Sequence, residues 1–461
     1  MKAKRQTRAH PSRREALAWL DRRLNYERVP PTHGTFALAR MRRLLAAVGS
    51  PHDAIPVVHV AGTKGKGSTV AMIADILGAA GYHVGRYLSP HVHALEERIG
   101  IDGRPIDAAA LTAAFATVIP AVERMDREAA RRGTRGPTWF ETLTAVAFVH
   151  FARSKVDIAV LETGLGGRLD ATNVSRPVLS VITSISLDHM ALLGNTVAKI
   201  AAEKAGIIKR GVPVVSGAVH PAARRVIRAT AARRRAPLLE LGRDFTARAL
   251  ESVESGRDAL GGALMRLRLP ARFAASDPGE GTYALGMPGR HQVENAALAA
   301  VAARWLDARG YRIPEEALAA GLRRAVLPAR IQVLEHGPLV VVDAAHNVAS
   351  MEALVAALAA PLAEHAPRVL VFAASADKQI ERMLRVVAGR FDRVIVTRYA
   401  TNPRAATVER LQAACRAAGL PRADAADSPA KAVEHARRIA GRGGLVCVAG
   451  SFFLAAEIGI R

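Results

Sequence analysis

The chain has few cysteines and few aromatic residues. Cys415 and Cys447 are the only two cysteines among 461 residues, and their spacing is not that of metal ligands. This usage is typical of a reducing compartment, so we expect a cytoplasmic location and no disulfide framework. Aromatic residues make up 4% of the chain, which leaves few platforms on which nucleic-acid bases could stack.

Long uncharged apolar runs are also missing. No stretch of about 18 such residues occurs, so we expect no membrane-spanning helix and no membrane partner. The first twenty residues are basic but contain no apolar segment followed by a small-residue cleavage site, which argues against a secretory signal.

Acidic residues are too few to balance the basic ones. The chain has 65 Lys and Arg against 41 Asp and Glu, a formal net charge of +24. Much of the excess is arginine spread through Ala-rich segments such as 39–47 and 222–236. With so few aromatic residues, this pattern favours solvated helix faces and anionic substrates, and we expect no nucleic-acid partner.

A glycine-rich segment between an apolar strand and an apolar helix is the most informative stretch. It reads VVHVAGTKGKGST at residues 57–69. Backbone N–H groups in such a turn, together with the helix N-terminus, bind phosphate. The spacing departs from G-x-x-x-x-G-K-[ST], because Val60 takes the first glycine position and Gly67 separates Lys66 from Ser68. An ordinary glycine-rich connection is the alternative, but the flanking strand and helix favour phosphate binding.

Strands alternate with helices along most of the chain, which indicates parallel sheets covered on both faces. We predict an α/β fold, with a parallel-sheet N-terminal domain that carries the glycine-rich loop and a second, smaller parallel-sheet domain of doubly wound type. Turn residues and alternating segments within 245–286 predict a small antiparallel sheet in the first domain. The segment LPAR at 327–330 marks the predicted boundary, giving domains of residues 1–327 and 328–461.

Four polar residues stand at or just past the ends of predicted parallel strands: Lys66, Ser89, Glu162 and His189. In open α/β sheets, ligands bind at this edge, so we predict an active site there. For His189 alone, a structural histidine that bonds a loop carbonyl is the better interpretation.

Taken together, these motifs resemble the folylpolyglutamate synthase/dihydrofolate synthase family of the Mur ligase superfamily. The resemblance is carried by HVAGTKGKGST, LSPHVHALEERI, TWFETLTAVAF, ETGLGGRLDATNV, SLDHMALLGNTVAKIAAEKAGIIK, GRHQVENAALA, PARIQV, VVDAAHN and AGSFF. It covers most of the chain and implies a P-loop parallel-sheet N-terminal ATPase domain and a smaller Rossmann-like C-terminal domain. It implies an ATP-dependent ligase that adds L-glutamate to folates through an acyl phosphate, and to dihydropteroate as well.

Two other functions are kept as alternatives. One is a Mur-type or other γ-glutamyl ligase that acts on a different carboxylate acceptor. The other is a nucleotide-binding protein without ligase turnover, whose basic surface binds an anionic partner. The presence of the complete set Ser89, Glu162, His189 and Lys204 counts against the second alternative.

The resemblance implies ATP and two Mg²⁺ ions as cofactors. It assigns the nucleotide contacts to Gly65, Lys66, Gly67, Ser68, Asn295, Arg330 and Asp343. It places one Mg²⁺ on Ser89 and Glu162, and the second on His189 with Glu162 shared. Lys204 matches the lysine that becomes a carbamate and helps to bind the second metal. The alternative for Lys204 is a plain lysine paired with Glu203 or Glu162.

The resemblance also implies the substrate contacts. Arg98, His346 and Ser451 are implied on the glutamate side, and His346 joins Lys66 and Lys204 as a catalytic candidate. Residues 343–347 alone could be a strand end with a helix N-cap. The folate or dihydropteroate is implied to lie against Phe36, Ala37, Leu38, Thr138, Trp139, Phe140, Glu141, Leu169, Asp170 and Ala171. The family suggests a monomer.

The chain departs from the family pattern in three respects, at four residues. Lys64 stands where the family usually has asparagine, which adds a cation beside the phosphates. Ala329 and Ala344 replace frequent glycines, so their backbone angles must be compatible with a Cβ. Trp139 enlarges the aromatic segment before Phe140. No proposed ligand is lost, and we expect the activity to be retained.

Overall fold

The computed structural model describes residues 11–27, 37–250, 260, 263–269, 279–420 and 423–459. Contacts group the chain into two compact units. The first comprises Met1–Ser89 and Leu95–Glu240, and the second comprises Pro90–Ala94 and Leu241–Arg461, in each case within the described residues. The boundary predicted between residues 327 and 328 stays a prediction, while the contacts place residues 241–327 with the C-terminal part of the chain.

The described part of the first unit contains an eight-stranded sheet in the order β4-β3-β2-β5-β1-β6-β7-β8. The strands are β1 (Val57–Ala61), β2 (Val84–Tyr87), β3 (Ile99–Ile101), β4 (Arg104–Pro105), β5 (Ile158–Glu162), β6 (Pro177–Ile182), β7 (Val214–Ser216) and β8 (Leu238–Glu240). The run from β2 to β8 is parallel, and β3 and β4 add an antiparallel edge. The central strands β1 and β5 are buried at every position, as a parallel sheet covered on both faces requires.

Helices surround this sheet. They are α1 (Arg13–Asp21), α2 (Leu38–Ala47), α3 (Lys66–Ala79), α4 (Ala108–Arg131), α5 (Trp139–Arg153), α6 (Met190–Leu193), α7 (Val197–Ala205) and α8 (Pro221–Arg234). The start of α5 follows from its sequence, because Thr138 and Glu141 form a reciprocal capping box. The adjacent sheet positions of β2, β5, β1 and β6 bring the carboxyl ends of these four strands to one edge.

Helix α4 is long and apolar enough, by length and composition, to cross a membrane. Its apolar residues nevertheless form one stripe that packs in the core of the first unit, where Leu111, Phe115, Val118 and Val122 are fully buried. Residues on the opposite side, such as Glu123 and Arg127, are charged. This is the pattern of an amphipathic core helix.

The second unit contains two sheets in its described residues. Strands β9 (Thr246–Leu250), β10 (Leu264–Arg268) and β11 (Glu280–Ala284) form the small antiparallel sheet that the sequence predicts. The other strands are β12 (Gln332–His336), β13 (Leu339–Val342), β14 (Arg368–Phe372), β15 (Arg393–Thr397), β16 (Asp424–Ala426) and β17 (Leu445–Ala449). Their order is β12-β13-β17-β14-β15-β16, parallel except for β12. The predicted α/β fold class is confirmed.

Helices of the second unit cover the six-stranded sheet and support the small one. They are α9 (Arg290–Asp307), α10 (Glu315–Arg324), α11 (Val348–Ala357), α12 (Ala359–Glu364), α13 (Ile380–Val387), α14 (Val408–Ala417), α15 (Pro429–Ala440) and α16 (Phe452–Glu457). Apolar cores lie on both faces of the six-stranded sheet. The short segment Pro90–Ala94 contributes Val92 to one of them.

Candidate active site

The glycine-rich loop connects β1 directly to the N-terminus of α3. Gly65 caps the helix with φ 80°, in the left-handed region that favours glycine, and Lys66 is the first helical residue. Gly62 lies so close to the end of β6 that an added Cβ would stand 1.7 Å from Oγ1 of Thr183. The loop therefore has the backbone geometry of a phosphate-binding turn at a helix N-terminus.

Residues that extend β6 fasten the loop from one side. The backbone N–H of Thr63 donates to the carbonyl of Ser184 at 2.7 Å. The hydroxyl of Thr183 donates to the carbonyl of Lys64 at 2.6 Å, and Thr63 exchanges hydrogen bonds with the backbone of Ser186. These contacts fix the loop to the residues that follow β6. The sequence alone predicts no role for Thr63, Thr183 or Ser184.

Glu162 lies at the end of β5 and is 3% exposed. Its Oε2 accepts a hydrogen bond from the backbone N–H of Ser89 at 2.9 Å, and its Oε1 lies 3.7 Å from Nζ of Lys66. Three of the four residues expected at this sheet edge are thus brought together. The expectation depended on parallel neighbours ending at the same edge, which the order β2-β5-β1 provides.

His189, the fourth residue, follows β6 and is the N-cap of the short helix α6. Its backbone has φ 48°, an uncommon conformation for a residue with a Cβ. The preceding residue connects it to the loop, since Oδ2 of Asp188 accepts a hydrogen bond from Nζ of Lys64 at 3.0 Å. In the sequence, the place of Asp188 directly before His189 is the one signal that marks it as a candidate.

Lys204, on α7, is 5% exposed, and its Nζ donates to the carbonyl of Gly62 at 2.6 Å. Burial, followed by the nearby Lys66 ammonium, lowers the pKa of this amine to about 7. The predicted alternative of a Glu203 partner is wrong, because Glu203 pairs with Arg168 at 2.9 Å. A buried lysine with such a pKa has a substantial neutral fraction near pH 7, which carbamate formation requires.

These side chains fit a magnesium site. A buried carboxylate, a serine hydroxyl and phosphate oxygens are the hard oxygen ligands that Mg²⁺ prefers. Glu162 accepts the backbone N–H of Ser89, and the Lys66 ammonium lies beside its other oxygen. No group of three or more His, Cys, Asp or Glu side chains positioned to hold a metal occurs among the described residues.

Several residues predicted to contact substrate have structural partners in the first unit. Glu141 accepts from the Thr138 backbone N–H and from Nε of Arg40, both at 2.8 Å. Arg98 is 1% exposed, and its guanidinium forms a bidentate pair with Glu27 at 2.7 Å and stacks on Trp139 at 4.8 Å. Their substrate roles stay predictions.

The other substrate candidates surround Phe140 and the loop after β5. The Phe140 ring faces Gly164, where an added Cβ would stand 2.5 Å from its Cζ, and packs 5.9 Å from Tyr87. Leu38 and Leu169 are half-buried, Ala37 is exposed and Ala171 is buried. Phe36 lies outside the described residues.

Asp170 organises the loop that follows β5. Its Oδ2 accepts from the backbone N–H of Leu165 at 2.8 Å, and its Oδ1 accepts from the N–H and the hydroxyl of Thr172 at 3.0 and 2.6 Å. Burial raises the pKa of Asp170, although these hydrogen bonds oppose the shift. Oγ1 of Thr172 also lies 2.8 Å from Nε2 of the fully buried His59. Sequence reasoning missed His59 because a polar residue within a strand gave no signal beyond its type.

In the second unit, Asp343 and Arg330 lie on adjoining segments. Both oxygens of Asp343 accept backbone N–H groups, from Ile331 at 2.9 Å and Ala345 at 2.7 Å. Burial raises the pKa of Asp343 to about 6, opposed by the Arg330 guanidinium. Ala329 has φ 53°, so it keeps a glycine-like conformation despite its Cβ. Ala344 does not share that conformation.

The ring of His346 packs against Phe452, and Ser451 directly precedes Phe452 in the chain. Nδ1 of His346 donates to the Ala344 carbonyl at 2.9 Å, and its ring packs 5.6 Å from Phe452. The Arg330 guanidinium stacks on Phe452 at 4.9 Å. Ser451 caps α16 through the Phe453 N–H. Asn295, on α9, donates to Oε1 of Gln292 at 2.9 Å.

Two family models match the chain. Residues 106–303 match the Mur ligase middle domain, and residues 329–452 match the Mur ligase glutamate ligase domain. The chain is 39% identical to the dihydrofolate synthase/folylpolyglutamate synthase of Bacillus subtilis over 373 residues, which cover 80% of this chain and 81% of that protein.

Solved structures agree with this result. Mycobacterium tuberculosis folylpolyglutamate synthase complexed with ADP matches with a TM-score of 0.82 and 32% identity, over 96% of each chain. Escherichia coli FolC in complex with DHPP and ADP matches with a TM-score of 0.78 and 31% identity, over 97% of this chain and 98% of that one. The chain therefore belongs to the folylpolyglutamate synthase/dihydrofolate synthase family of Mur ligases.

Proposed function

We propose that this protein is an ATP-dependent ligase that joins the amine of L-glutamate to the carboxylate of a folate, and of dihydropteroate as well. The observation that carries the proposal is the juxtaposition of Lys66, Ser89 and Glu162 beside a glycine-rich loop at a helix N-terminus. The relatives named for folylpolyglutamate synthesis, and their complexes with ADP, support the nucleotide and the substrate class.

The proposed reaction has two steps. The folate carboxylate attacks the γ-phosphorus of ATP, so that an acyl phosphate forms and the bond to ADP breaks. The glutamate amine then attacks the acyl carbon, and the resulting tetrahedral intermediate expels phosphate while the amine loses a proton. Both steps place negative charge near other negative charge, so positioning and electrostatic stabilisation dominate catalysis.

The chain's own residues supply that stabilisation. Lys66 balances phosphate oxygens, and Gly65, Gly67 and Ser68 donate hydrogen bonds to them from the N-terminus of α3. Ser89 and Glu162 would hold one Mg²⁺, and His189 with Glu162 and a carbamylated Lys204 the other. Bound Mg²⁺ supplies charge neutralisation for the phosphates.

Residues of the second unit have complementary roles in this proposal. Asn295 binds the adenine edge, Arg330 reaches phosphate oxygens and Asp343 contacts the nucleotide. His346 and Ser451 hold glutamate in line for attack, which lowers the entropic part of the barrier. The buried, low-pKa environment of Lys204 supports carbamate formation. An ATP-bound crystal structure with an unmodified Lys204 ammonium would contradict that modification.

A product assay tests the function. The protein is incubated with Mg-ATP, isotope-labelled L-glutamate and either dihydropteroate or a folate monoglutamate, and products are identified by mass. We expect one added glutamyl unit on each pterin, with stoichiometric phosphate release. Absence of product from both, with turnover of another carboxylate acceptor, would instead support the other γ-glutamyl ligase. We also propose that the enzyme acts as a cytoplasmic monomer, without a nucleic-acid or membrane partner.

A further inference from the structure

We propose that Lys64 is a positioning residue, which holds the His189 turn against the phosphate loop through Asp188. The metal role of His189 rests on the proposed function, but the positioning itself does not. Lys64 occupies a place where the family resemblance leads one to expect asparagine.

Hydrogen bonds to the backbone of Lys64 fix the position from which its side chain extends. Its carbonyl accepts hydrogen bonds from the hydroxyls of Thr183 at 2.6 Å and Ser184 at 3.3 Å. Lys64 and Ser184 also form an isolated antiparallel bridge. The loop side of the connection is thus anchored to the extension of β6 before the side chain reaches Asp188.

Asp188 connects Lys64 to the backbone of the next residue. Its Oδ2 accepts from Nζ of Lys64 at 3.0 Å, while its Oδ1 accepts from the backbone N–H of His189 at 3.0 Å. The side chains of Lys64 and Asp188 are 28% and 19% exposed, so water screens this pair less than a pair on the open surface. One carboxylate therefore joins the phosphate loop to the turn.

His189 needs such a restraint. Its φ of 48° and ψ of 39° lie in the left-handed region, which residues with a Cβ occupy only where the surroundings enforce it. Its side chain is 51% exposed, so burial contributes little to holding the ring. The carbonyl of His189 accepts the N–H groups of Leu192 and Leu193, both at 3.0 Å, and thereby starts α6. Loss of the restraint would release the turn and this short helix together.

Hydrogen exchange of the ligand-free protein tests the restraint directly. We would compare the wild type with Lys64→Asn, Asp188→Asn and the double variant, following peptides that cover residues 186–194 by mass spectrometry. Asp188→Asn keeps an oxygen for the His189 N–H and removes only the charge. Lys431→Asn, which breaks the exposed pair with Asp427, is the matched control.

We expect each single variant to accelerate exchange in this segment about fivefold, the effect of a moderately screened ion pair. The double variant should exchange no faster than the singles, because both remove the same interaction. The control should exchange there like the wild type. Wild-type exchange in Lys64→Asn, or strictly additive effects in the double variant, would overturn the proposal.

Calorimetric titration with ADP and Mg²⁺ separates positioning from direct phosphate binding. Positioning predicts that both single variants weaken the apparent Mg²⁺ affinity about equally while ADP affinity without Mg²⁺ changes less than about twofold. A loss of ADP affinity of about tenfold or more in Lys64→Asn but not in Asp188→Asn would mean that Lys64 serves the phosphate and would overturn positioning. Failure of the wild type to ligate glutamate would count against the proposed function only, because neither readout requires turnover.

Discussion

The backbone N–H of Ser89 donates a hydrogen bond to Oε2 of Glu162 at 2.9 Å, so a residue after β2 fixes the carboxylate at the end of β5. Glu162→Gln retains an oxygen for this hydrogen bond and removes the charge that a metal requires. We expect the Mg²⁺ concentration for half-maximal activity to rise at least about tenfold. Magnesium titrations at saturating ATP measure it, and an unchanged titration would remove Glu162 as a ligand.

Lys66 supplies the ammonium at the first turn of α3. Its replacement by alanine should lower kcat by about a hundredfold or more, because a charge aimed at the transferred phosphoryl group is lost. Phosphate release with ATP, folate and glutamate is the measurement. Lys431→Ala, on the exposed surface of the second unit, should retain wild-type turnover. Normal phosphate release from Lys66→Ala would contradict its role.

His346 is fixed by its hydrogen bond to the Ala344 carbonyl, which leaves Nε2 as the acceptor of the neutral ring. We expect His346→Ala to raise the KM for glutamate about tenfold or to lower kcat by a similar factor, with little change in the KM for ATP. His365→Ala is the control, since His365 also bonds a backbone carbonyl, that of Pro361. Wild-type glutamate kinetics in His346→Ala would defeat this placement.

The buried His59 should make the fold sensitive to acid. Because Thr172 donates to Asp170, His59 must donate from Nε2 to Thr172, and its Nδ1 has no hydrogen-bond partner. Burial lowers the pKa of His59 to about 3, and the Lys209 cation contributes. The unfolded chain, with a pKa of about 6.5, binds more protons below that pH. Stability therefore falls as the pH drops from about 6.5 towards about 3.

Denaturant unfolding of the wild type and His59→Gln at pH 7 and pH 5 measures this effect. The glutamine amide can still donate to Thr172 but does not titrate. Because the unfolded chain protonates His59 over this range, the unfolding free energy of the wild type should fall by about 2 kcal/mol from pH 7 to pH 5. One pKa unit corresponds to about 1.36 kcal/mol. Over the same pH range, the unfolding free energy of His59→Gln should fall by about 2 kcal/mol less than that of the wild type. Equal losses in the two proteins would exclude His59 as the group responsible.

Much of the first unit could be predicted from local pattern. Helix α4 spans Ala108–Arg131 and helix α5 spans Trp139–Arg153. Both carry a long apolar stripe and strong N-cap signals, which local sequence encodes. Helix α1 ends at Asp21 although apolar residues continue at helical spacing to Leu24, because periodicity alone does not mark where a helix stops.

In the candidate site, too, some contacts could be predicted from the sequence and others could not. Ser89, Glu162 and Lys66 were grouped correctly because strand order places their strand ends side by side. The Arg98–Glu27 pair, the Lys64–Asp188 pair and the His59–Thr172 contact join residues 71, 124 and 113 positions apart. Such contacts depend on tertiary packing, and no local propensity predicts them.

The membership of Val92 in a core of the second unit has a consequence for how this protein can be divided. The polypeptide enters that unit at Pro90, leaves it after Ala94 and returns at Leu241. A fragment beginning at residue 241 would therefore lack a buried valine that fills its interior. During synthesis, residues 90–94 therefore cannot complete their packing until most of the rest of the chain has been made.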